Sequence, residues 1–262
     1  MTGKKKSGAS IATNRRGWNA SSDQYQRRHG ESLERTALAW GTWRIPDTEV
    51  KALEDVAGRD VLELGCGAAQ WSLALAVEGA RVVGLDLSER QLIHARLRAL
   101  EAAQALPLVQ AAAEWLPFAA ASFDLVFCDH GGMSFADPAA TVPEVARVLR
   151  PGGNLVFCMS TPLRDLCLSP EDDRPGDRLT VDYFGLGSFA DADEVTFQLP
   201  YGEWVRLFRR NGLAIDDLIE LRPPAGASTT YDDYVSLEWS RRWPSDHIWK
   251  LRKEVTGCAS DR

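Results

Sequence analysis

The chain is short of the residues that metal and disulfide proteins depend on, with four histidines and five cysteines in 262 residues. Cys66, Cys128, Cys158, Cys167 and Cys258 are odd in number, widely spaced and without a Cys-x-x-Cys pair, and the histidines do not cluster. Neither a disulfide framework nor a metal site is expected. Long apolar runs are also missing. No stretch reaches the roughly 18 apolar residues of a membrane span, and the basic start "MTGKKKSGASIATNRRG" leads into no apolar segment. Positive charge is not in excess either: the net charge is −7 and the isoelectric point about 5.2, which argues against a nucleic-acid binder. These absences leave a cytoplasmic protein, monomeric or homodimeric, that handles a small molecule and contacts neither nucleic acid nor membrane.

What is present fits one α/β domain, with 45% hydrophobic and 26% charged residues. Residues 1–16 are too poor in apolar side chains to offset the entropy of ordering and are expected to be a disordered basic tail. Residues 17–262 then form the domain: an N-terminal cap over 17–55, an α/β core over 56–159, an insertion over 160–200 and a C-terminal part over 201–262. In the core, "DVLELG", "RVVGLDLS", "LPLVQAAAE", "FDLVFCD" and "GNLVFCMS" read as five strands, nearly continuously apolar as in a parallel sheet buried on both faces. Ser88 with Gln91 three residues later marks a capped helix start, and "PEVARVLRPGG" reads as a helix closed by Pro-Gly-Gly. The insertion holds an acidic part and an aromatic part, as a lid would. "EWSRRWPSDHIWK" reads as a helix packed on the sheet with a solvated basic face, a nucleic-acid stacking surface being the alternative.

Chemistry concentrates at "DVLELGCGAAQW". After a buried strand, Gly65 and Gly67 let the backbone approach a ligand, and the helix that follows near Ala69 or Gln70 offers free N–H groups. A dinucleotide turn would need glycine or alanine at position 70, where Gln stands. The next strand ends in Asp86, about twenty residues on, where a carboxylate can accept from a ribose diol or merely favour a helix start.

Taken together, "VLELGCGAAQW", "VVGLDLS", "AEWLPFAAASFDLVFCDH" and "EVARVLRPGGNLVF" resemble class I S-adenosylmethionine-dependent methyltransferases, especially the bacterial small-molecule group similar to ubiquinone/menaquinone-biosynthesis enzymes. The flanking segments are similar to an actinobacterial subgroup. The family usually reads E/D-x-G-x-G-x-G; Glu63, Gly65 and Gly67 match, and Ala69 replaces the last glycine. The resemblance implies a Rossmann-like, seven-stranded, mostly parallel sheet with helices on both faces, an N-terminal helical cap and a lid insertion. It implies S-adenosyl-L-methionine as methyl donor, S-adenosyl-L-homocysteine as product, and no metal.

Carried over position by position, Gly65, Cys66 and Gly67 would line the methionine moiety, and Glu63 would anchor the turn or reach its amino group. Asp86 would hold the ribose, Leu87 and Gln91 would border the nucleoside, and Ala113, Glu114 and Trp115 would complete the adenine pocket. Asp129 and His130 would lie beside the sulfonium, with Tyr25, His29 and Trp40 closing over it. His130 is the candidate general base, or else only shapes the pocket; His247 is expected to be structural. Met133, Tyr183, Phe184, Tyr201 and Trp204 are candidates for the acceptor pocket. Methylation of a small molecule by in-line displacement is the leading function. A non-catalytic cofactor-binding regulator and an NAD-type Rossmann oxidoreductase are the alternatives.

Overall fold

The structure, a computed structural model, describes residues 2–169, 171 and 174–255. Seven strands make one sheet: β1 (Asp60–Leu64), β2 (Arg81–Asp86), β3 (Leu108–Gln110), β4 (Phe123–Asp129), β5 (Leu149–Ser160), β6 (Leu213–Glu220) and β7 (Asp246–Lys253). Their order is β6-β7-β5-β4-β1-β2-β3. β1 runs parallel to β2 and β4, β2 to β3 and β4 to β5, whereas β7 lies antiparallel between β5 and β6. The main helices are α1 (Thr2–Arg35), α2 (Gln70–Val77), α3 (Glu89–Glu101), α4 (Pro138–Val148) and α5 (Tyr201–Arg210).

The continuous apolar runs follow from burial on both faces. Leu62, Leu64, Val126 and Cys128 pack toward Val142, Val145, Trp204 and Phe208 of α4 and α5. The alternate residues Val61, Leu125 and Phe127 pack toward Trp40, Trp71 and Leu75 on the opposite face. Ser88 caps α3 as expected, its hydroxyl accepting from the Gln91 N–H at 3.1 Å.

Four expectations are corrected. The third strand keeps only three residues of "LPLVQAAAE". The helix of "PEVARVLRPGG" stops at Val148, and Leu149 to Gly153 already run in β5 with a register shift opposite β4, since Pro151 cannot continue a helical ladder. Of "EWSRRWPSDHIWK" only the first part is helical, over Leu237–Arg242; from Asp246 the chain is strand β7, with His247, Ile248, Trp249 and Leu251 in the interior of the sheet.

The largest correction concerns the N-terminus. The segment expected to be a disordered tail is helical from Thr2, and α1 crosses the carboxyl ends of the strands. Asn14, fully buried, supplies the tie: its Nδ2 donates to the carbonyls of Phe135 (2.7 Å) and Val195 (2.9 Å), and its Oδ1 accepts from the Val195 N–H at 2.6 Å. Val195 belongs to a hairpin of Ser188–Ala190 with Val195–Phe197, so this part of the 160–200 insertion buttresses α1. The contact is so close that any Cβ at Gly17 would run into the Asp193 carbonyl. Further along, Arg90 of α3 pairs with Asp23, and Arg98 with Glu34. No helix among the described residues is long and apolar enough to cross a membrane.

Replacing Asn14 by Ala strands three backbone groups and is expected to cost about 2 kcal/mol of α1 docking. Amide exchange should accelerate along α1 but not in β1 or β4; unchanged exchange in α1 would show that Asn14 is not the anchor.

Candidate functional site

Ligands of open parallel sheets bind where neighbouring strands send their connections in opposite directions. Here that point lies between β1 and β4. Beyond β1, Gly65 adopts a φ of 82°, and a Cβ on it would collide with the backbone of Gly131 and Gly132 beyond β4. Only glycine lets the two loops meet. Gly67 and Ala69 also have positive φ, 53° and 62°. Ala69 is fully buried against Leu92 and Ala95 and starts α2 from the left-handed region, at a cost of about 1–2 kcal/mol relative to glycine.

Three carboxyl groups line this edge, Glu63 and Glu114 buried and Asp86 partly so. Glu63 accepts from the Ser72 N–H at 2.9 Å and from the Ser72 hydroxyl, tying β1 to α2 and fixing the turn between them. Its burial outweighs those bonds and pushes its pKa up to about 8. Asp86 accepts from the N–H groups of Gly67 (2.8 Å) and Ser88 (2.7 Å), and burial raises it to about 6. Glu114 accepts from the Asp137 N–H at 3.2 Å and is likewise raised by burial. None of the three has a cationic side chain as partner among the described residues.

The carboxylates border a cleft of two adjoining compartments of about 770 and 910 Å³, open space at the mouths included. The first is walled by Leu87, Gln91, Ala113, Glu114 and Asp86, with Ile11, Asn14 and Trp18 of α1 as roof. Glu63, Cys66, Trp71, Arg44, Tyr231 and Tyr234 belong to the second, while Gly65, Gly67, Tyr25, Asp129 and His130 face both. Trp18 meets Tyr25 and Phe135 edge to face, and the Tyr25 and Tyr231 hydroxyls lie 2.6 Å apart, closing α1 onto the segment before residue 235. Asp129 is held by Arg44 (2.7 Å) and the Gly41 N–H (2.9 Å), both its side chain and that of Arg44 being nearly buried. Donor atoms of Asp129, His130 and Cys158 come within 4.8 Å of one another, but the guanidinium on Asp129 sets this trio against binding a cation.

Several expected residues stand elsewhere. Trp40 is core, its indole N–H donating to Asp47, and His29 sits behind Tyr231, stacked on it and bonded to Thr230. Trp115 is 55% exposed and is not among the residues that line the cleft which Glu114 borders. Met133 is fully buried in the core. Tyr201 and Trp204 belong to α5, which covers one face of the sheet, and Tyr183 packs at its start, with the Tyr183 hydroxyl accepting from the Tyr201 N–H and Trp204 donating to Gln198. Phe184 projects into solvent. None of the five lines the cleft: Tyr201 and Trp204 help to cover the sheet, Met133 is core, and Phe184 is exposed. His247 is buried beside Tyr201 and Trp249, as a structural residue is; burial pulls its pKa down to about 3. Asn14, Trp18, Arg44, Tyr231, Tyr234 and Asp246 were not foreseen. For Asp246 a signal existed, since the β-branched and aromatic run after Pro244 suits a strand.

Comparison with known proteins bears directly on this edge, which lies inside a matched segment. Residues 62–157 match the methyltransferase domain family. A demethylmenaquinone methyltransferase of Clavibacter sepedonicus is 40% identical over 121 residues, 46% of this chain and 48% of that one. A ubiquinone biosynthesis O-methyltransferase of Aromatoleum aromaticum is 42% identical over 105 residues, 39% and 44% of the two chains. The chain thus spans about half the length of the curated relatives it matches. An S-adenosylmethionine-dependent methyltransferase from Mesorhizobium loti superposes with a TM-score of 0.62 at 25% identity, covering 78% of this chain and 95% of that one. The matched segment contains the glycine turn, Asp86, Glu114 and His130, whereas α1 and the Tyr231 segment lie outside it.

A Glu63 carboxyl raised to about 8 is protonated in the folded protein at neutral pH. A raised folded value adds stability below the ordinary glutamate pKa that is lost as pH rises toward about 8. Glu63→Gln keeps an acceptor for Ser72 and should flatten the decline in melting temperature between pH 6 and 9; an unchanged decline would assign it to other groups.

Proposed function

We propose that the protein transfers a methyl group from S-adenosylmethionine to a flat small-molecule acceptor. The observation that carries this reading is the charge of the cleft. Asp86 and Glu114 face it without cationic partners among the described residues, Glu63 adds an acid that is uncharged at neutral pH, and the arginine that lines the cleft, Arg44, is neutralised by Asp129. Such a wall repels the pyrophosphate of a dinucleotide and suits a nucleoside that carries a cation. The donor set fits the group as well: Asp86 for the ribose hydroxyls, Glu114 with Ala113 and Leu87 for the adenine, and Gly65, Cys66 and Gly67 with Glu63 for the methionine end. When bound, S-adenosylmethionine supplies an electrophilic methyl group.

The chain's own contribution is alignment and dryness. Tyr25, Trp18 and α1 roof the cleft and exclude water, and the aromatic walls of Trp18, Tyr25, Phe135, Tyr231 and Tyr234 offer flat surfaces for a planar acceptor. Two of the relatives are named for steps of quinone synthesis, which supports an aromatic acceptor. The regulator and oxidoreductase alternatives have no observation of their own in their favour.

Calorimetric titration should show binding of S-adenosylmethionine and none of NADH; the reverse result removes the reading. Asp86→Ala should weaken S-adenosylmethionine binding about 10- to 100-fold, the worth of charged hydrogen bonds to two hydroxyls. Trp115→Ala, at an exposed residue outside the cleft lining, should leave it within about twofold.

A further inference from the structure

His130 stands at the end of β4 with a φ of 54°, a left-handed conformation that an L-residue adopts only when its surroundings impose it. Its N–H donates to the Cys158 carbonyl at 3.0 Å, and its ring borders both compartments of the cleft. Nε2 is buried and lies 3.0 Å from Oδ1 of Asp246, a contact of charge more than of aligned hydrogen bonding. Nδ1, with no bonded partner, is the nitrogen left for the cleft.

Asp246 opens β7 and is wholly buried. Its Oδ2 accepts from the Thr42 N–H at 3.3 Å and the Ser245 hydroxyl at 3.0 Å, and Oδ1, the oxygen next to His130, also accepts from the Thr42 hydroxyl at 3.3 Å. Burial alone would push this carboxyl up, but the His130 ring, the Ser245 hydroxyl and the charge of Arg164 outweigh it and hold the group below its ordinary value. An ionised carboxylate is thus locked behind a histidine that faces the cleft.

We propose that Asp246 is a positioning residue: it orients His130 and holds it as the proton acceptor of the cleft, serving an acceptor whose nucleophile is a hydroxyl. This rests on the methyl-transfer reading. The acceptor O–H bond breaks, and its proton passes to Nδ1 of His130. The oxygen electron pair forms the new bond to the methyl carbon, while the carbon–sulfur bond electrons leave with sulfur as a neutral thioether. Asp246 stabilises the imidazolium that results.

The groups around His130 act in both directions. Asp246 of β7 and Asp129 of β4 favour its charged form, Asp129 less because Arg44 pairs with it. Arg164, from the helical turn Pro162–Leu166, opposes it, and the Tyr234 ring approaches edge-on at 6.2 Å. The Cys158 thiol of β5 is raised by burial and stays neutral. Burial pulls the imidazole down, yet Asp246 outweighs it and the net shift is upward. Neutral His130, able to take a proton, therefore predominates only above a raised midpoint, and turnover should climb with pH through it.

The test is an NMR titration of the full chain labelled in its four histidines, with the His130 signal assigned by its loss in His130→Gln. The wild-type midpoint should lie above the ordinary value of about 6.5 and fall by about one unit in Asp246→Asn. S-adenosylmethionine affinity should stay within about twofold. A wild-type midpoint at or below 6.5, or one that Asp246→Asn does not move, overturns the proposal. Should that variant not fold, the wild-type midpoint still decides. Failure of the wild type to bind S-adenosylmethionine would remove the methyl-transfer reading and leave the titration result standing.

Discussion

The arrangement depends on one close approach, the meeting of the loops that leave β1 and β4. Gly65 touches Gly131 and Gly132 because none of the three carries a Cβ, and that contact brings Glu63 and Asp86 on one side next to Asp129 and His130 on the other. A side chain at position 65 would part the loops and separate the nucleoside-facing wall from the histidine. Glu63 holds the same turn from beneath, through Ser72 at the start of α2. A neutral acid fills this place well, since a buried charge without a partner would be costly.

The structure accepts local strain at this edge. Ala69 and His130 both occupy the left-handed region, one where a third glycine is customary and one where a side chain must face the cleft. Ala69 recovers part of its cost through its methyl group, which is buried against α3. For His130 the β4–β5 pairing imposes the conformation, through the bond to Cys158. The fold thus places carboxyl groups without cationic partners and two left-handed non-glycine residues at one edge, and neutralises surface charge with pairs such as Arg150 with Asp60 and Asp124.

The roof is built from distant parts of the chain. Asn14 joins α1 to the loop after β4 and to a hairpin nearly 180 residues later, and Tyr25 and Tyr231 meet across the top. The acidic and aromatic insertion, which composition suggested as a lid, acts instead in part as support for that roof. A helix whose own sequence is polar and rich in Lys, Arg, Ser and Gly is ordered here by what it docks against.

The sequence by itself determined the parts whose physics is local. The alternation of apolar strands and capped helices from Asp60 to Phe157, the glycine turn, Asp86 at the end of β2 and the Ser88 cap all follow from period, capping chemistry and spacing within a few dozen residues. What only the tertiary structure decided depends on partners far apart in the chain. Whether Trp115 faces the cleft or the solvent, whether Trp204 covers a sheet or a ligand, and whether the C-terminal run is helix or strand turn on which surface is left to be buried. Asp246 lies behind His130 only because β7 inserts antiparallel between β5 and β6, and neither residue carries a local mark of the other.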